Sequence, residues 1–143
     1  MEIIRAKENY EKAGAFSVRI SGMNKTYNIS LKDEFDNHDF NDANHLVALD
    51  NTYPVGTLRF YEIDKLTATI GRVVVLPEYR KQHIGSKLIF EAEKWIKELG
   101  YKNIIIYSRI EAVGFYQKLG YIIKNDEVKR KETFDCILME KRV

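Results

Sequence analysis

The stretch Val73-Val74-Val75-Leu76-Pro77-Glu78-Tyr79-Arg80-Lys81-Gln82-His83-Ile84-Gly85 decides how this chain is read. Its first four residues are apolar and three of them β-branched, as a buried strand favours. Pro77 has no N–H to donate, so pairing stops there. From about Gly85 to Leu99 the period becomes helical. Leu88, Ile89, Ala92, Trp95, Ile96 and Leu99 share one face, while Lys87, Glu91, Lys94 and Lys97 face away. Gly100 suits the residue after the last turn. The first N–H groups of such a helix lack partners within it, and its dipole favours an anion at that end. Gly85 permits close backbone approach, and Arg80 and Lys81 add positive charge, so a pyrophosphate is a natural guest. On these residues alone, an ordinary strand-turn-helix with solvated cations is the simpler account.

Working outward, Met1 to Lys7 reads as a first strand, and Asn9 to Met23 as a loosely patterned helix that Gly14 and Gly22 weaken. Lys32 to Asn44, with Asp33, Glu34, Asp36, Asp39 and Asp42, reads as a solvated loop or short helical turn. Strands are predicted over His45 to Asp50, Val55 to Ile63 and Thr67 to Leu76, then over Asn103 to Tyr107. A short helix from about Glu111 to Leu119 and a closing pair, Tyr121 to Lys124 and Phe134 to Glu140, complete the order. The result is one α/β (α+β) domain over residues 1–143, with a mixed sheet and a helix crossing over after the central strand.

Composition narrows the functional classes. The chain has 143 residues, 45% hydrophobic and 31% charged, with a net charge of +2. That suits a globular fold with a real core and leaves no footprint for bulk nucleic-acid or membrane attraction. The single cysteine, Cys136, excludes an internal disulfide framework and a Cys-based zinc cage. No recognised ligand spacing among Asp36, His38, Asp39 and Asp42 argues for a metal. Met1 to Lys7 lacks a signal-peptide run and no stretch is long enough to span a bilayer, so a cytoplasmic address is expected by default.

Three further segments give the central turn its meaning. Tyr53-Pro54-Val55-Gly56-Thr57-Leu58-Arg59-Phe60, Ile70-Gly71-Arg72-Val73-Val74-Val75 and Phe115-Tyr116-Gln117-Lys118-Leu119-Gly120-Tyr121, with Arg80 to Gly85 between them, together resemble the GNAT N-acetyltransferases. Arg80 and Gly85 match the first and last positions of that family's R/Q-x-x-G-x-G/A loop, and His83 stands where the middle glycine is usual. Ala15-Phe16-Ser17-Val18-Arg19, the acidic stretch to Asp36 and Ile137-Leu138-Met139-Glu140-Lys141 most resemble the YjcF/ElaA-like branch. That branch's Glu-Gln pair appears here as Thr26-Tyr27, and its C-terminal histidine as Cys136.

The resemblance implies the GNAT acyl-CoA N-acyltransferase fold, a sheet of about seven strands flanked by about four helices. It implies acetyl transfer from acetyl-CoA to an amine by direct attack. Val73, Val74 and Val75 would bond the pantetheine arm through backbone groups freed where the cofactor strand splays from the next. Arg80, Lys81, Gln82, His83, Ile84, Gly85 and Ser86 would hold the pyrophosphate. Tyr116 takes the position of a tyrosine that protonates the departing thiolate; a plain core aromatic is the alternative for it. Arg109 stands where an Asn or Gln often touches the pantetheine, and an exposed cation at a strand end fits it equally.

The usual base position on the cofactor strand is Gly71, which leaves water or a carboxylate from the Asp33 to Asp42 run. His45 reads as structural, and Cys136 as a small buried hydrophobe. Lys129-Arg130-Lys131 reads as a solvated hairpin tip. The acidic rim hints at a cationic acceptor amine. The fold is compatible with a homodimer, and no interface is specified. A non-catalytic acyl-CoA-binding or protein-interaction module on the same fold is the competing reading.

Overall fold

The computed structural model describes residues 1–131 and 133–143. Its strands are Glu2–Arg5 (β1), Asn44–Asp50 (β2), Tyr53–Asp64 (β3), Thr67–Val75 (β4), Asn103–Arg109 (β5), Ile122–Lys131 (β6) and Phe134–Arg142 (β7). Its helices are Asn9–Arg19 (α1), Lys25–Tyr27 (α2), Leu31–Glu34 (α3), His38–Asn41 (α4), Ile84–Glu98 (α5) and Val113–Lys118 (α6). All seven strands form one sheet in the order β1-β2-β3-β4-β5-β7-β6. Neighbours are antiparallel except β4 and β5, which run parallel because α5 carries the chain back between them. The last two strands run further than their sequence pattern suggests. Every residue of β6 is exposed, so no alternation marks its length.

The main core lies where α5 packs on the sheet. Ile84, Leu88, Ile89, Ala92 and Ile96 are buried there against Leu58, Phe60, Ile70 and Ile104. Each fully buried aliphatic side chain contributes about 1.5–3 kcal/mol. Gly56 makes room for the helix, since a Cβ there would lie 3.1 Å from Leu88 Cδ1 and 3.2 Å from Ile84 Cγ2. Leu99, expected on the same face, is 52% exposed because α5 has already ended and Leu99 is its cap.

On the other face, α1 continues through a π-helical turn, Ile20–Asn24, into α2. Here the glycine that weakens the helical pattern has a packing role. A Cβ on Gly22 would fall 2.5 Å from Val74 Cγ1, so only glycine lets this arm lie directly on β4.

The acidic run is not the solvated loop that its composition suggests. Arg19 is fully buried, and Glu34 and Asp39 are each 3% exposed. Arg19 Nε donates to Glu34 Oε2 at 2.9 Å and Nη1 to Asp39 Oδ1 at 2.7 Å. Arg59 donates two bonds to Asp36, at 2.7 and 2.8 Å, and also lies 2.9 Å from Asp39. His45 Nε2 sits 3.2 Å from Asp39 Oδ1, which makes His45 a structural residue as expected. The misreading is instructive. The carboxylates sit on α3, on α4 and, for Asp36, between them, while their guanidinium partners lie on α1 and β3, so nothing local signals the pairing.

Candidate active site

β4 and β5 pair only at Thr67–Asn103, Ala68–Ile104 and Thr69–Ile105. Beyond those pairs the strands part, and each keeps its other neighbour, β3 or β7. A cavity of about 390 Å³ fills the gap, bordered by Ile70 to Val74 on one strand and Ile106 to Arg109 on the other. Met23 and Ile29 from the arm, Tyr116 from α6, and Phe134 and Cys136 from β7 complete its walls.

β4 is bent at this point. Arg59 pairs with Gly71 and Thr57 with Val74, so Leu58 opposes both Arg72 and Val73. Such a bulge kinks the strand and re-aims its backbone groups. Arg72 holds the bulge with φ at +52°, a region non-glycine residues seldom occupy. Its Nε donates to the carbonyl of Glu34 at 3.1 Å, and its guanidinium also reaches the carboxylates of Glu34 and Asp36. The buried ionic cluster is thus tied to the bulge. A Cβ on Gly71 would meet nothing within 4 Å, so the cleft has free space there.

Tyr116 is 6% exposed and stands edge-on to the rings of Phe115 and Tyr121. Among the described residues its hydroxyl has no hydrogen-bond partner, and the residue borders the cavity. Burial pushes the phenol well above its usual range, and the charge of Arg109 pulls it the other way. The phenol therefore keeps its proton at any physiological pH. Its support is firm: Tyr121 donates to Glu93 at 2.7 Å, and Lys141 Nζ reaches Glu93 at 3.1 Å and the Leu119 carbonyl at 2.8 Å.

The turn before α5 lies past the end of β4. Pro77–Tyr79 form a 3-10 turn, Arg80 is extended, and Lys81 and His83 have φ of +63° and +61°. His83 thus keeps the left-handed backbone for which glycine is the usual choice, at a cost of roughly 1 kcal/mol. Lys81, Gln82 and His83 are exposed, whereas the Ile84 side chain is buried in the core. Gly85 has a packing reason too, since a Cβ would lie 3.2 Å from Phe115 Cζ. The turn is in this way keyed to the segment that carries Tyr116. Val73, Val74, Arg109 and Tyr116 border the cavity; Val75 and Arg80 to Ser86 lie beyond it, with His83 and Ser86 beside a second, open depression near Phe90.

Arg109 is neither free nor simply exposed. Its guanidinium carbon lies 4.3 Å from the ring centre of Phe134 and 4.9 Å from that of Tyr27. Nε and Nη2 donate to Glu111 at 2.9 and 2.7 Å, and Nη2 reaches the Tyr27 hydroxyl at 3.2 Å. Cys136 is its register partner on β7, and burial raises that thiol above its usual range. Sequence reasoning did not anticipate Tyr27, Tyr61, Tyr107 or Phe134 in this region. The one available signal was the alternation in β5, where Ile104, Ile106 and Ser108 are buried and Tyr107 and Arg109 turn outward.

A seven-stranded sheet that opens between its one parallel pair, with a strand-turn-helix beyond the gap and a buried tyrosine bordering it, agrees with the family that the sequence comparison gives. The chain belongs to the GNAT acetyltransferases. The model of the acetyltransferase (GNAT) family matches residues 11–121. YyaT of Bacillus subtilis, an uncharacterised protein, is 30% identical over 145 residues, covering 100% of this chain and 97% of its own. The uncharacterised N-acetyltransferase YjcF of the same organism is 28% identical over 127 residues, 89% of each chain. An aminoglycoside 6′-N-acetyltransferase solved with coenzyme A superposes with a TM-score of 0.77 at 17% identity, covering 99% of this chain and 97% of that one. Within this GNAT protein, Tyr27 and Cys136, two positions that depart from the pattern, both neighbour a third, Arg109, which borders the cleft.

Proposed function

We propose that this GNAT protein transfers an acetyl group from acetyl-CoA to a primary amine of a small molecule or peptide by direct attack. One observation carries the reading: Tyr116, whose hydroxyl has no hydrogen-bond partner among the described residues, borders the gap where β4 and β5 part. On this reading the pantetheine arm lies along Val73 to Val75 as an added strand. The pyrophosphate meets the backbone of the turn from Arg80 to Gly85 and Ser86, at the positive end of α5. A backbone N–H of the bulged strand polarises the thioester carbonyl. The amine nitrogen then bonds to the carbonyl carbon and the C–S bond breaks with its electron pair left on sulfur. Tyr116 gives its proton to the sulfur and recovers one, through water, from the new amide nitrogen.

The coenzyme A held by the aminoglycoside enzyme of the same fold supports the choice of donor. The cluster around Arg19 changes the expectation for the base. Among the described residues Glu34 is the carboxylate that borders the cleft, and Arg19 and Arg72 both engage it. Deprotonation of the acceptor therefore falls to solvent.

Calorimetry with acetyl-CoA and CoA tests the donor, and CoA release over a panel of primary amines tests the transfer. Tyr116→Phe should lower kcat about 100-fold and leave the affinity for acetyl-CoA within about threefold. Unchanged turnover would remove Tyr116 from this role.

A further inference from the structure

The wall of the cleft facing Tyr116 carries a charge that the scheme above leaves unused. We infer that Arg109 is a catalytic residue, whose guanidinium stabilises the negative charge that collects on the sulfur of CoA as the C–S bond breaks. The inference rests on the acetyl-transfer reading of this same cleft and names the group that receives the leaving thiolate.

Three observations support it. First, Arg109 is held in place from several sides: Phe134 and Tyr27 flank the guanidinium, and Glu111 takes Nε and Nη2. Second, Nη1 has no hydrogen-bond partner among the described residues, although Arg109 borders the cavity. A planar fork with Nε and Nη2 occupied and Nη1 open is pre-organised for one more acceptor. Third, Tyr116 and Arg109 share the cavity, and Arg109 is the charge whose field reaches the Tyr116 phenol. Glu111 cancels only part of that field, because its side chain is 64% exposed and screened by water.

The chemistry explains the need. With its phenol raised by burial, Tyr116 is a reluctant donor to a thiolate. A fixed cation beside the sulfur lowers the cost of the electron pair arriving there before the proton does. Arg109 moves no proton, since guanidinium does not deprotonate. The other charged and titratable groups around it are Glu111 on its own turn, Tyr27 from the arm, Lys131 and Cys136 from the hairpin, and Tyr116 from α6.

The decisive measurement is the titration of the CoA thiol while bound, followed by its ultraviolet thiolate band. A Cys136→Ser background leaves the chain with no thiol of its own. Arg109→Gln should raise the midpoint of bound CoA by about one pH unit, Arg109→Lys should largely restore it, and Glu111→Gln should lower it. With an acceptor present, Arg109→Gln should lower kcat about tenfold or more while KM for acetyl-CoA changes less than threefold. A midpoint that stays in place in both neutral variants, or that moves the same way in both, overturns the inference. CoA that binds with an unmoved thiol refutes Arg109 alone, whereas CoA that does not bind refutes the acetyl-transfer reading beneath it.

Discussion

Single residues decide the chemistry here. The place of Tyr116 on a short helix was legible from the Phe115-Tyr116 pattern, and its acid role is the proposal made above. His83 was legible as a departure, and its left-handed backbone shows what the departure preserves. Gly71 is the residue with the most direct kinetic consequence. It leaves open space where a base is usual, and the nearest wall carboxylate, Glu34, is bound to Arg19 and Arg72. With no carboxylate among the described residues of the cleft free to take the proton, the acceptor's own ionisation should govern the rate. Two amines that differ by two pH units in basicity should give kcat/KM profiles that rise with pH and level off about two units apart. A common midpoint for both would reveal a base on the protein.

At the scale of elements, β1 to β5 and α5 follow from period and β-branching and appear close to where the sequence places them, whereas β6 and β7 run further. The helix expected over Asn9 to Met23 appears as α1 and the π-helical turn after it, but what this arm packs on was not legible, because its contacts are remote in sequence. Gly22 on Val74 is the tightest of those contacts. Gly22→Ala should destabilise the protein by about 1–3 kcal/mol, since the added methyl forces the arm or β4 to shift. In a Val74→Ala background the same change should cost only a few tenths of a kcal/mol. Denaturant unfolding of the four variants reads the coupling directly. Equal costs in both backgrounds would show that the arm does not rest on β4 as described.

Across the whole molecule, the ionic cluster joins α1, α3, α4, β2, β3 and the bulge of β4. Burial alone would raise the Asp39 carboxyl, but hydrogen bonds from His45 and Arg19, with the charges of Arg19 and Arg59, hold it far below the usual range. Hydrogen bonds from Arg59 likewise hold Asp36 low. Both groups therefore confer stability that is present above the unfolded carboxylate pKa of about 4 and lost as pH falls below it. The melting temperature should be nearly flat from pH 7 to 5 and fall below about pH 4. Asp39→Asn should cost about 3–5 kcal/mol at pH 7, by leaving Arg19 and Arg59 short of a partner; its acid-induced loss should be smaller than that of the parent protein. This cluster was the least legible part of the sequence, since charge pairs between distant segments leave no period and no motif.

The gap between β4 and β5 has a last consequence, concerning self-association. An unpaired strand edge invites other chains to add to it, and proteins ordinarily blunt such edges with charge or cover. The outer strand β6 follows that practice, carrying Lys124, Lys129, Arg130 and Lys131. The open edges of β4 and β5 are guarded differently. They face each other inside the sheet, and the touching rings of Tyr27 and Phe134 link the arm to the hairpin beside them. A slender chain can enter such an edge more readily than a second sheet can. The molecule can therefore keep a ladder open for its guest without offering one to its neighbours.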